Sequence, residues 1–294
     1  MIETVAAVRR FNRTVTQQVG ALNDRFLARD RPLAPARLLW EIGPGGAEVR
    51  ALRIRLGLDS GHLSRLLRAL EGDGLVTVHT SPADGRVRTA YLTEAGLGER
   101  AVIDERSDDL ARSLLTPLSR RQQHRLVAAM QEVEHLLTAA SVTIRAVDPS
   151  DADARAGIRA YLTELERRFP EGFDPAIGVT AEPHELRPPA GEILVAYLHS
   201  EPVGCGAVKH HRDEAWSEIK RVWVADSVRG LGLGRRVIGE LERRARAAGA
   251  EVVRLDTHGS LTEATALYRS AGYREIGAYN DNPYAHHWFE KSLF

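Results

Sequence analysis

The chain has 294 residues, of which 43% are hydrophobic and 27% charged, and its formal net charge is zero. This composition is typical of a globular protein in water, and the length favours two domains. No apolar run approaches the roughly 20 residues of a membrane helix, and the single cysteine, Cys205, excludes an internal disulfide. The N-terminal stretch lacks the apolar core of a signal peptide, so we expect a cytoplasmic protein without a membrane partner.

The charge is divided unevenly between the two halves of the chain. Residues 1–140 carry 20 basic residues, all of them arginine, against 17 acidic ones, and residues 141–294 carry 20 against 23. A net charge of zero argues against a nucleic-acid partner, but DNA binding depends on local clusters of basic side chains. Arginine offers a planar fork that suits phosphates and guanine edges, so the first half stays a candidate for DNA binding.

Four helical segments are predicted in the first part of the chain, because apolar residues recur there at helical spacing. They cover residues 3–27, 34–43, 47–57 and 59–75. The second has Pro35 near its first turn and Gly43 past its end, as helix termini favour. The fourth begins with Asp59 or Ser60 as its cap, and four leucines form its apolar face.

A hairpin is predicted after these helices. Residues 76–79 alternate between apolar and polar side chains, Asp84 and Gly85 are typical of a tight turn, and the segment behind them returns as a second strand. Thr93 then caps a long helical stretch, which is interrupted and resumes over residues 120–137. Helices followed by a two-stranded ribbon, in this order, are what a winged helix-turn-helix needs.

In such a fold, the helix at residues 59–75 would lie in the major groove of DNA. Its polar face combines short polar groups with basic forks, and a basic ribbon tip can enter a minor groove. The predicted DNA-binding residues are Ser60, His62, Ser64, Arg65 and Arg68 on the helix and Arg86 and Arg88 on the ribbon. The alternative is an ordinary solvated helix and hairpin with scattered surface charge.

Residues 1–140 resemble the MarR family of transcriptional regulators. The resemblance is carried by "LDSGHLSRLLRALEGDGLV" at the position of the recognition helix and by "ADGRVRTAYLTEAG" at the wing and the helix beyond it. It implies a homodimer, with the first and last helices at the interface, that binds a palindromic operator in double-stranded DNA. Residues 49–91 depart from a strongly basic pattern, with seven arginines against four acidic residues.

The second half of the chain predicts strands with interspersed helices, and therefore an α/β or α+β sheet. The strands are expected at residues 142–147, 192–200, 202–211, 217–224, 251–258, 273–280 and 286–293. The helices are expected at residues 154–169, 235–249 and 262–272. Between the fourth strand and the second of these helices stands a glycine-rich loop, "RGLGLGRR", which spans residues 229–236.

Glycines at this density indicate that backbone amides approach a ligand closely, and a helix beginning there would direct its N–H groups at an anion. A P-loop would need Gly-Lys-Ser or Gly-Lys-Thr, and neither occurs. The dinucleotide pattern G-x-G-x-x-G is met at Gly230 and Gly232, but Arg235 stands at its last position. A loop that needs glycine only for its turns is the remaining alternative.

Arg229-x-x-Gly232-x-Gly234, between a strand and a helix, resembles the signature of the GNAT acetyltransferases, and the resemblance extends over residues 142–294. It implies a GNAT α/β fold with a central mixed sheet. It also implies that the loop's amides hold the pyrophosphate of acetyl-CoA, with the preceding strand along the pantetheine arm, and it requires no metal. The implied cofactor-binding residues are Val222, Trp223, Val224, Arg229, Gly230, Leu231, Gly232, Leu233, Gly234 and Arg235.

The same resemblance implies two catalytic residues. Glu218 matches the position of a general base, acting directly or through water, and Tyr268 matches the tyrosine that protonates the leaving thiolate. The alternatives are a carboxylate paired with Lys220 or Arg221, and a packing aromatic. Leu261 stands where the family often carries an asparagine that contacts coenzyme A.

Other reactive side chains fit structural roles better. Cys205 lies among small residues of a predicted strand, which favours a buried thiol over a nucleophile. His210 and His211, like His286 and His287, are adjacent on strands and therefore point to opposite faces, so neither pair makes a metal site by itself. The polar and aromatic segment at residues 279–287 is expected to line the acceptor side, or else to be a hydrophilic loop.

Together these patterns predict an α+β protein of two domains, a mostly helical winged helix-turn-helix at residues 1–140 and an acetyltransferase at residues 141–294. We expect a MarR-like regulator that also transfers acetyl from acetyl-CoA to an amine, either a small amine, an amino acid or a protein lysine. The alternative is a transcription factor whose second domain senses acetyl-CoA or an amine without turnover. The short linker predicts that the domains communicate, against the alternative of two independent domains.

Overall fold

The computed structural model describes residues 2–20, 27, 32–81, 85, 87–178 and 181–294. The predicted wing residue Arg86 and the predicted turn residue Asp84 lie outside these residues. The chain divides into two compact units, Met1–Met130 and Gln131–Phe294. The predicted domain boundary at residue 140 stays a prediction, because the division between the compact units lies inside a helix.

The first unit is mostly helical and carries a small sheet. Its helices are α1 (Ile2–Gln18), α2 (Leu33–Ile42), α3 (Val49–Arg55), α4 (Ser60–Gly72) and α5 (Glu94–Leu115). Its strands are β1 (Ala47–Glu48), β2 (Val76–Thr80) and β3 (Arg88–Leu92), which pair in the order β1-β3-β2. Helix α6 (Arg120–Ser141) begins in this unit and ends in the other.

The helix predicted over residues 47–57 is wrong at its beginning. Ala47 and Glu48 form β1, which pairs antiparallel with β3 so that Ala47 faces Ala90, and α3 begins only at Val49. Gly46 has a φ of 76°, which turns the chain into the strand. Helical periodicity gives no sign of this pairing, because the partner strand lies far along the sequence.

The predicted caps are confirmed. The Asp59 carboxylate accepts a hydrogen bond from the backbone N–H of His62 at 2.8 Å, and so caps α4. The Thr93 hydroxyl accepts from the N–H of Gly96 at 3.0 Å and donates to the carbonyl of Gly74 at 2.7 Å, which joins α5 to the end of α4. The leucines of α4 lie in the core of the unit, so its polar face is left at the surface.

The second unit contains a mixed sheet. Its strands are β4 (Thr143–Val147), β5 (Gly191–Leu198), β6 (Glu201–His211), β7 (Trp216–Val224), β8 (Val252–Thr257), β9 (Arg274–Ile276) and β10 (His287–Ser292). In the described part of the chain they pair in the order β4-β5-β6-β7-β8-β10-β9, and only β7 and β8 are parallel. The helices are α7 (Ala152–Arg168), α8 (Leu233–Ala247) and α9 (Thr262–Ser270). The predicted mixed sheet is confirmed.

Strands β7 and β8 separate towards their carboxyl ends. They pair only from Trp216 to Glu218 on β7, although both strands continue beyond that point. On its other side, β7 is irregular, because the register against β6 shifts between Cys205 and Ala207. Arg221 lies in this bulge with a φ of 55°, and bulges redirect side chains. The result is an opening between the two strands.

Helix α8 packs closely on the sheet beside this opening. A Cβ at Gly206 of β6 would lie 2.8 Å from side-chain atoms of both Leu241 and Val237, so the glycine lets the helix approach the strand. The buried core there includes Leu233, at the beginning of α8, and Phe289 of β10. None of the helices in the described ranges is long and apolar enough to cross a bilayer.

Candidate functional site

The first unit has a groove between α3, the beginning of α4 and β3. It is lined by Glu48, Val49, Arg50, Arg53, Ser60, Leu63, Ser64, Val87 and Arg88. Three of these side chains are exposed arginines, and no carboxylate among the described residues pairs with Arg50, Arg53 or Arg88 in the ion pairs of this unit. The groove therefore presents positive charge beside the polar end of a helix, as a phosphate backbone requires.

The predicted DNA-binding residues divide into two groups. Ser60 and Ser64 of α4 line this groove together with Arg88 of β3. Arg65 and Arg68 are exposed on α4 outside the groove, and His62 is half-buried. Arg50 and Arg53 of α3 were not among the predicted DNA-binding residues, although "RALRIR" carries three arginines within six residues.

In the second unit, the glycine loop leads directly into helix α8. Gly232 is the N-cap residue of the helix and has a φ of 70°, and Gly230 has a φ of 79°. Both conformations favour glycine. A Cβ at Gly232 would meet nothing within 4 Å, whereas one at Gly234 would lie 3.0 Å from the Leu267 side chain of α9. Gly234 therefore serves close packing, and Gly232 leaves open space at the helix N-terminus, where N–H groups lack intrahelical acceptors.

The two arginines of the loop are held by neighbouring elements. The Arg229 guanidinium contacts Asp226 at 2.6 Å and Glu164 of α7 at 3.1 Å, and it donates to the carbonyl of Val224 at 3.2 Å. Arg235 donates to the Ser270 carbonyl at 3.0 Å and to its hydroxyl at 2.6 Å. These contacts join the loop to α7, β7 and α9, so the arginines brace the loop.

A cavity lies in front of the loop, between α7, β7 and α9; we call it the loop cavity, and its volume is about 430 Å³. Nine of the ten predicted cofactor-binding residues line it, all except Leu231. Its lining residues are Tyr161, Glu164, Leu165, Arg168, Val222, Trp223, Val224, Val228, Arg229, Gly230, Gly232, Leu233, Gly234, Arg235, Leu261, Glu263, Ala264, Leu267 and Tyr268. Leu231 instead lies beside the end of α6, together with residues such as His135.

A second cavity occupies the opening between β7 and β8; we call it the strand cavity, and its volume is about 110 Å³. Its lining residues are Tyr161, Leu162, Leu165, Phe169, Phe173, Gly178, Ile219, Lys220, Arg221, Val222, Asp256, Thr257, His258, Leu261, Ala264, Tyr268, Asn282 and Tyr284. It shares Tyr161, Val222, Leu261 and Tyr268, among others, with the loop cavity. The two cavities therefore adjoin along a common wall.

Tyr268 belongs to this common wall. It lies on α9 and is 6% exposed. Burial, with a smaller contribution from the negative charge of Asp256, raises its pKa well above the ordinary value for tyrosine. The hydroxyl is therefore protonated at neutral pH and is placed where the two cavities meet, as a proton donor to a leaving group requires.

The Glu218 carboxylate is buried and paired with neighbouring side chains, whereas a general base would need access to the substrate. It is 4% exposed and lines neither cavity. Its carboxylate contacts the Lys220 amine at 3.0 Å and accepts a hydrogen bond from the Tyr279 hydroxyl at 3.0 Å. Burial raises its pKa, but the neighbouring His211 and Lys220 and the hydrogen bond from Tyr279 outweigh this and lower it to about 2. The pairing with Lys220 is the alternative that the sequence left open.

Lys220 links Glu218 to Asp256, which does line the strand cavity. The Lys220 amine lies 3.4 Å from the Asp256 carboxylate. Asn280 donates to Asp256 at 3.2 Å and to Glu218 at 3.3 Å, and Asn282 also donates to Asp256. The segment expected on the acceptor side thus supplies Asn282 and Tyr284 to the cavity, and its residues Tyr279 and Asn280 hold the Glu218 carboxylate. Asp256 was not among the site residues predicted from the sequence.

Cys205 is a buried thiol. It is fully buried, and burial raises its pKa to about 12. The thiol donates to the carbonyl of Arg221 at 3.4 Å and packs against Gly157 of α7, where a Cβ would lie 3.1 Å from the Cβ of the cysteine. A protonated thiol in this position is not a nucleophile, and the structural role expected from the sequence is confirmed.

A histidine cluster lies at the outer end of the strand cavity. One donor atom each of Glu171, His258 and His286 lie within 4.8 Å of one another. His258 Nε2 is 2.7 Å from the Glu171 carboxylate, and Nδ1 accepts from the backbone N–H of Ser260 at 3.0 Å. His286 Nδ1 accepts from the N–H of Gly259 at 3.1 Å. These hydrogen bonds fix the turn after β8 and account for the positions of both imidazoles.

Known proteins resemble both halves of the chain. Residues 159–273 match the model of the Acetyltransferase (GNAT) family, and residues 37–87 match that of the MarR family. The chain is 31% identical over 118 residues to IAA acetyltransferase of Azospirillum brasilense, a match that covers 40% of this chain and 77% of the relative. It is 35% identical over 97 residues to an uncharacterized N-acetyltransferase of Schizosaccharomyces pombe, which covers 33% of this chain and 60% of that protein.

Among solved structures, an acetyltransferase of the GNAT family from Staphylococcus aureus aligns with a TM-score of 0.45 and 14% identity, over 52% of this chain and 99% of that one. The family assignment rests on the identity to the A. brasilense protein, which extends over 77% of that relative. The chain therefore belongs to the GNAT acetyltransferase family, and it carries a segment that matches the MarR family ahead of the acetyltransferase domain.

Proposed function

We propose that the second unit transfers an acetyl group from acetyl-CoA to the nitrogen of an amine. The observation that carries this proposal is the position of Tyr268, on the wall shared by a cavity of about 430 Å³ and one of about 110 Å³. The larger cavity has room for the pantetheine arm, and the smaller one adjoins it where the acceptor amine would have to lie. Acetyl transfer needs a proton donor for the leaving thiolate at the point where the cofactor and the acceptor meet, and Tyr268 lies at this junction.

The loop cavity suits acetyl-CoA in shape and in the groups that it offers. Gly232 leaves space at the N-terminus of α8, where backbone N–H groups and the helix dipole favour a pyrophosphate. Val222, Trp223 and Val224 of β7 line the same cavity and would lie along the pantetheine arm. Arg229 would act mainly by holding the loop, since its guanidinium already contacts two carboxylates.

In the proposed reaction, the amine nitrogen forms a bond to the acetyl carbon, and the bond between that carbon and sulfur breaks. The thiolate of coenzyme A takes the proton of the Tyr268 hydroxyl. An ammonium acceptor gives up two protons overall; one replaces the proton that Tyr268 donated, and the other leaves to solvent. Tyr268 suits this role because a tyrosine hydroxyl carries its proton at neutral pH and because this residue lies on the wall that the two cavities share.

The assignment of Glu218 as the general base stays a prediction. A carboxylate with a pKa of about 2 is a weak base, and this one lies outside both cavities. Its contacts with Lys220 and Tyr279 favour a positioning role, in which it holds the wall of the strand cavity. Since Glu218 lines neither cavity, it could act as a base only through a water that lies between its carboxylate and the acceptor.

Release of free coenzyme A from acetyl-CoA in the presence of a panel of amines tests the proposed activity. The panel contains simple amines, free amino acids and a lysine peptide, and mass spectrometry identifies the acetylated product. We expect release that depends on the acceptor and a product heavier by one acetyl group. Binding of acetyl-CoA without release for every acceptor would contradict the enzyme and favour a sensor.

We further propose that residues 1–140 form a homodimer that binds a palindromic operator. The groove with Arg50, Arg53 and Arg88 supports this, together with the exposed Arg65 on α4. Arg65→Ala is expected to relax sequence preference at one base position by about 1–3 kcal/mol, measured by gel shift on genomic fragments. Arg112→Ala on α5 is the control. If no specific complex formed at moderate salt, residues 1–140 would be a dimerisation scaffold that does not bind DNA.

A specific contact favours the sensor as a second candidate function. The end of α6 lies against the glycine loop within the second unit, because a Cβ at Gly230 would lie 3.4 Å from the His135 ring. The Arg236 guanidinium of α8 donates to the carbonyls of Ala139 at 2.5 Å and Val142 at 2.7 Å. A ligand of the loop would thus act on α6, which begins in the first unit. Operator binding that responds to acetyl-CoA without coenzyme A release would support it.

A further inference from the structure

Arg221 presents an unusual charge to the strand cavity. Its guanidinium lines the cavity and is half-buried, and its one hydrogen bond among the described residues goes to the carbonyl of Ala181, at 2.7 Å. Within the described ranges, no carboxylate lies within ion-pair distance of it. Glu182 and Glu185 act on the guanidinium only from beyond ion-pair distance. A partly buried charge without a paired counterion is unfavourable, so an anion from outside the chain would fit this position.

The other charges of the cavity wall compensate one another. Lys220 is paired with Glu218 and with Asp256, and the carboxylate of Asp256 also accepts hydrogen bonds from the amides of Asn280 and Asn282. These groups have their partners within the protein. Arg221 is therefore the group of this wall that is left to bind a negatively charged ligand.

The backbone at Arg221 supports a functional reason for its position. Its φ of 55° lies in the left-handed region, which a side chain other than glycine adopts at a cost. The bulge of β7 imposes this conformation and turns the side chain into the opening between the strands. Strain of this kind persists mainly at ligand sites.

Three aromatic rings that contact one another also line the strand cavity. The centroids of Phe169 and Tyr284 are 5.6 Å apart, those of Phe173 and Tyr284 are 5.1 Å apart, and Phe169 meets Phe173 edge to face at 5.5 Å. All three rings line the cavity. Such a wall suits an apolar or aromatic body, so the cavity offers both a cation and an apolar surface to a ligand.

We infer that the acetyl acceptor is a free amino acid with an apolar or aromatic side chain, whose carboxylate binds Arg221 and whose side chain lies on the Phe169, Phe173 and Tyr284 rings. This inference rests on the proposed function and names its substrate class. The carboxylate gives Arg221 the counterion that it lacks, and a planar guanidinium binds it with two parallel hydrogen bonds. The amino group, attached to the same carbon as the carboxylate, then faces the wall that contains Tyr268.

A substrate series on the unmodified protein tests this inference. L-Phenylalanine, L-phenylalanine amide and 2-phenylethylamine share the aromatic body and the amine, but only the first carries a carboxylate. We expect kcat/KM for phenylalanine to exceed that for the other two by about 10- to 100-fold, the range for hydrogen bonds between charged groups. Equal values for the three acceptors, or a phenylalanyl dipeptide that exceeds the free amino acid, would overturn the inference while leaving acetyl transfer intact.

Arg221→Met then separates recognition of the carboxylate from other roles of the guanidinium. We expect the ratio of kcat/KM between phenylalanine and its amide to collapse towards one, mainly through KM. Arg246→Met is the matched control, because the Arg246 guanidinium also donates only to a backbone carbonyl, that of Leu293, and lies outside both cavities. An unchanged ratio in Arg221→Met would overturn the inference, since the guanidinium would then act equally on every acceptor.

Calorimetry tests whether the strand cavity binds an amino-acid carboxylate even if no acceptor is turned over. With the protein saturated in coenzyme A, phenylalanine is expected to bind at least tenfold more tightly than 2-phenylethylamine, and Arg221→Met is expected to abolish the difference. That result together with no acetylated product would contradict the proposed activity and support the amino-acid site. Equal affinities, or no binding of phenylalanine, would overturn the site.

Discussion

The loop cavity and the strand cavity share a wall, but they are built from different parts of the chain. The loop cavity is formed mainly by backbone, because Gly230 and Gly232 adopt conformations that favour glycine and α8 directs its first N–H groups forward. The strand cavity is formed by side chains, such as Arg221 and Asp256, that come from strands with little pairing between them. A site built from backbone suits a ligand that does not vary, such as the proposed acetyl-CoA. A site built from side chains can differ in its choice of ligand, as the proposed acceptor site would require.

The largest effect is expected where the two cavities meet. Tyr268→Phe removes one hydroxyl from the common wall and leaves the shape of both cavities intact. Loss of a general acid lowers the rate by about 10²- to 10⁴-fold, so we expect kcat to fall within that range and acetyl-CoA affinity to stay within about threefold. Steady-state kinetics and calorimetry measure the two quantities.

Tyr273→Phe is the control for Tyr268→Phe. The Tyr273 hydroxyl donates to Glu242 at 3.0 Å in the same core, and Tyr273 lines neither cavity. Its removal is expected to leave kcat within about threefold of the parent, since no proton transfer depends on it. A Tyr268→Phe enzyme with full kcat would show that the thiolate obtains its proton from another group and that Tyr268 is not the general acid.

The strand cavity, unlike the loop cavity, depends on a buried charge network, and Glu218→Gln tests this. The pKa of Glu218 is lowered from 4.5 to about 2, so the carboxylate stabilises the fold above about pH 4.5. This contribution is lost as the pH falls from about 4.5 to about 2. The variant is expected to lower the free energy of unfolding by about 3 kcal/mol at pH 7. The difference from the parent protein should shrink through that pH window in thermal melts.

The kinetics of Glu218→Gln distinguish positioning from base catalysis. A positioning role predicts a raised KM for the acceptor, an unchanged acetyl-CoA affinity and a kcat whose pH profile keeps its shape. A base would instead show a fall in kcat and the loss of one limb of that profile. Glu240→Gln is the control, because this carboxylate of α8 also has a pKa of about 2 through its contacts with arginines and lies outside both cavities.

The loop cavity is expected to respond to a change at its backbone. Gly232→Asp adds a side chain and a negative charge where a pyrophosphate would lie, and it should weaken acetyl-CoA binding more than tenfold, or about 1.4 kcal/mol. Gly249→Asp is the matched control, since Gly249 also has a positive φ and open space around its Cα, but stands beyond the other end of α8. Equal acetyl-CoA affinities of the two variants in calorimetry would show that the pyrophosphate does not bind at this loop.

The two cavities also differ in how far they could be predicted. The glycine pattern of residues 229–236 indicated the loop, because a backbone site is encoded by a local sequence. Nine of the ten predicted cofactor-binding residues, on the loop and on β7, line the loop cavity. Phe169, Phe173 and Arg221 were not predicted, because the bulge of β7 and the separation of the strands depend on pairing between distant segments. Tyr284 lies in the segment that was expected on the acceptor side. Helical periodicity misassigned residues 47–48 for the same reason, since the partner of β1 is β3.

The smallest expected effect concerns the route from the loop cavity to DNA binding. The end of α6 contacts the glycine loop through His135 and receives hydrogen bonds from Arg236 of α8, whereas no α6 residue lines the strand cavity in the described part of the chain. If operator binding responds to a ligand, acetyl-CoA should therefore be that ligand, and the acceptor should have no effect of its own.

Operator affinity by fluorescence anisotropy, with and without saturating acetyl-CoA, measures this coupling. We expect a change of about fivefold, or about 1 kcal/mol, near the lower end of typical couplings, and DNA should change acetyl-CoA affinity by the same factor because linkage is reciprocal. Arg236→Met should abolish the response. Arg243→Met should retain it, because the Arg243 guanidinium on the same helix pairs with Glu240 and, among the residues that the structure describes, has no hydrogen bond to α6. A response to the acceptor alone would show that the strand cavity reaches α6 by another path, and identical binding curves under all conditions would show that the two halves act independently.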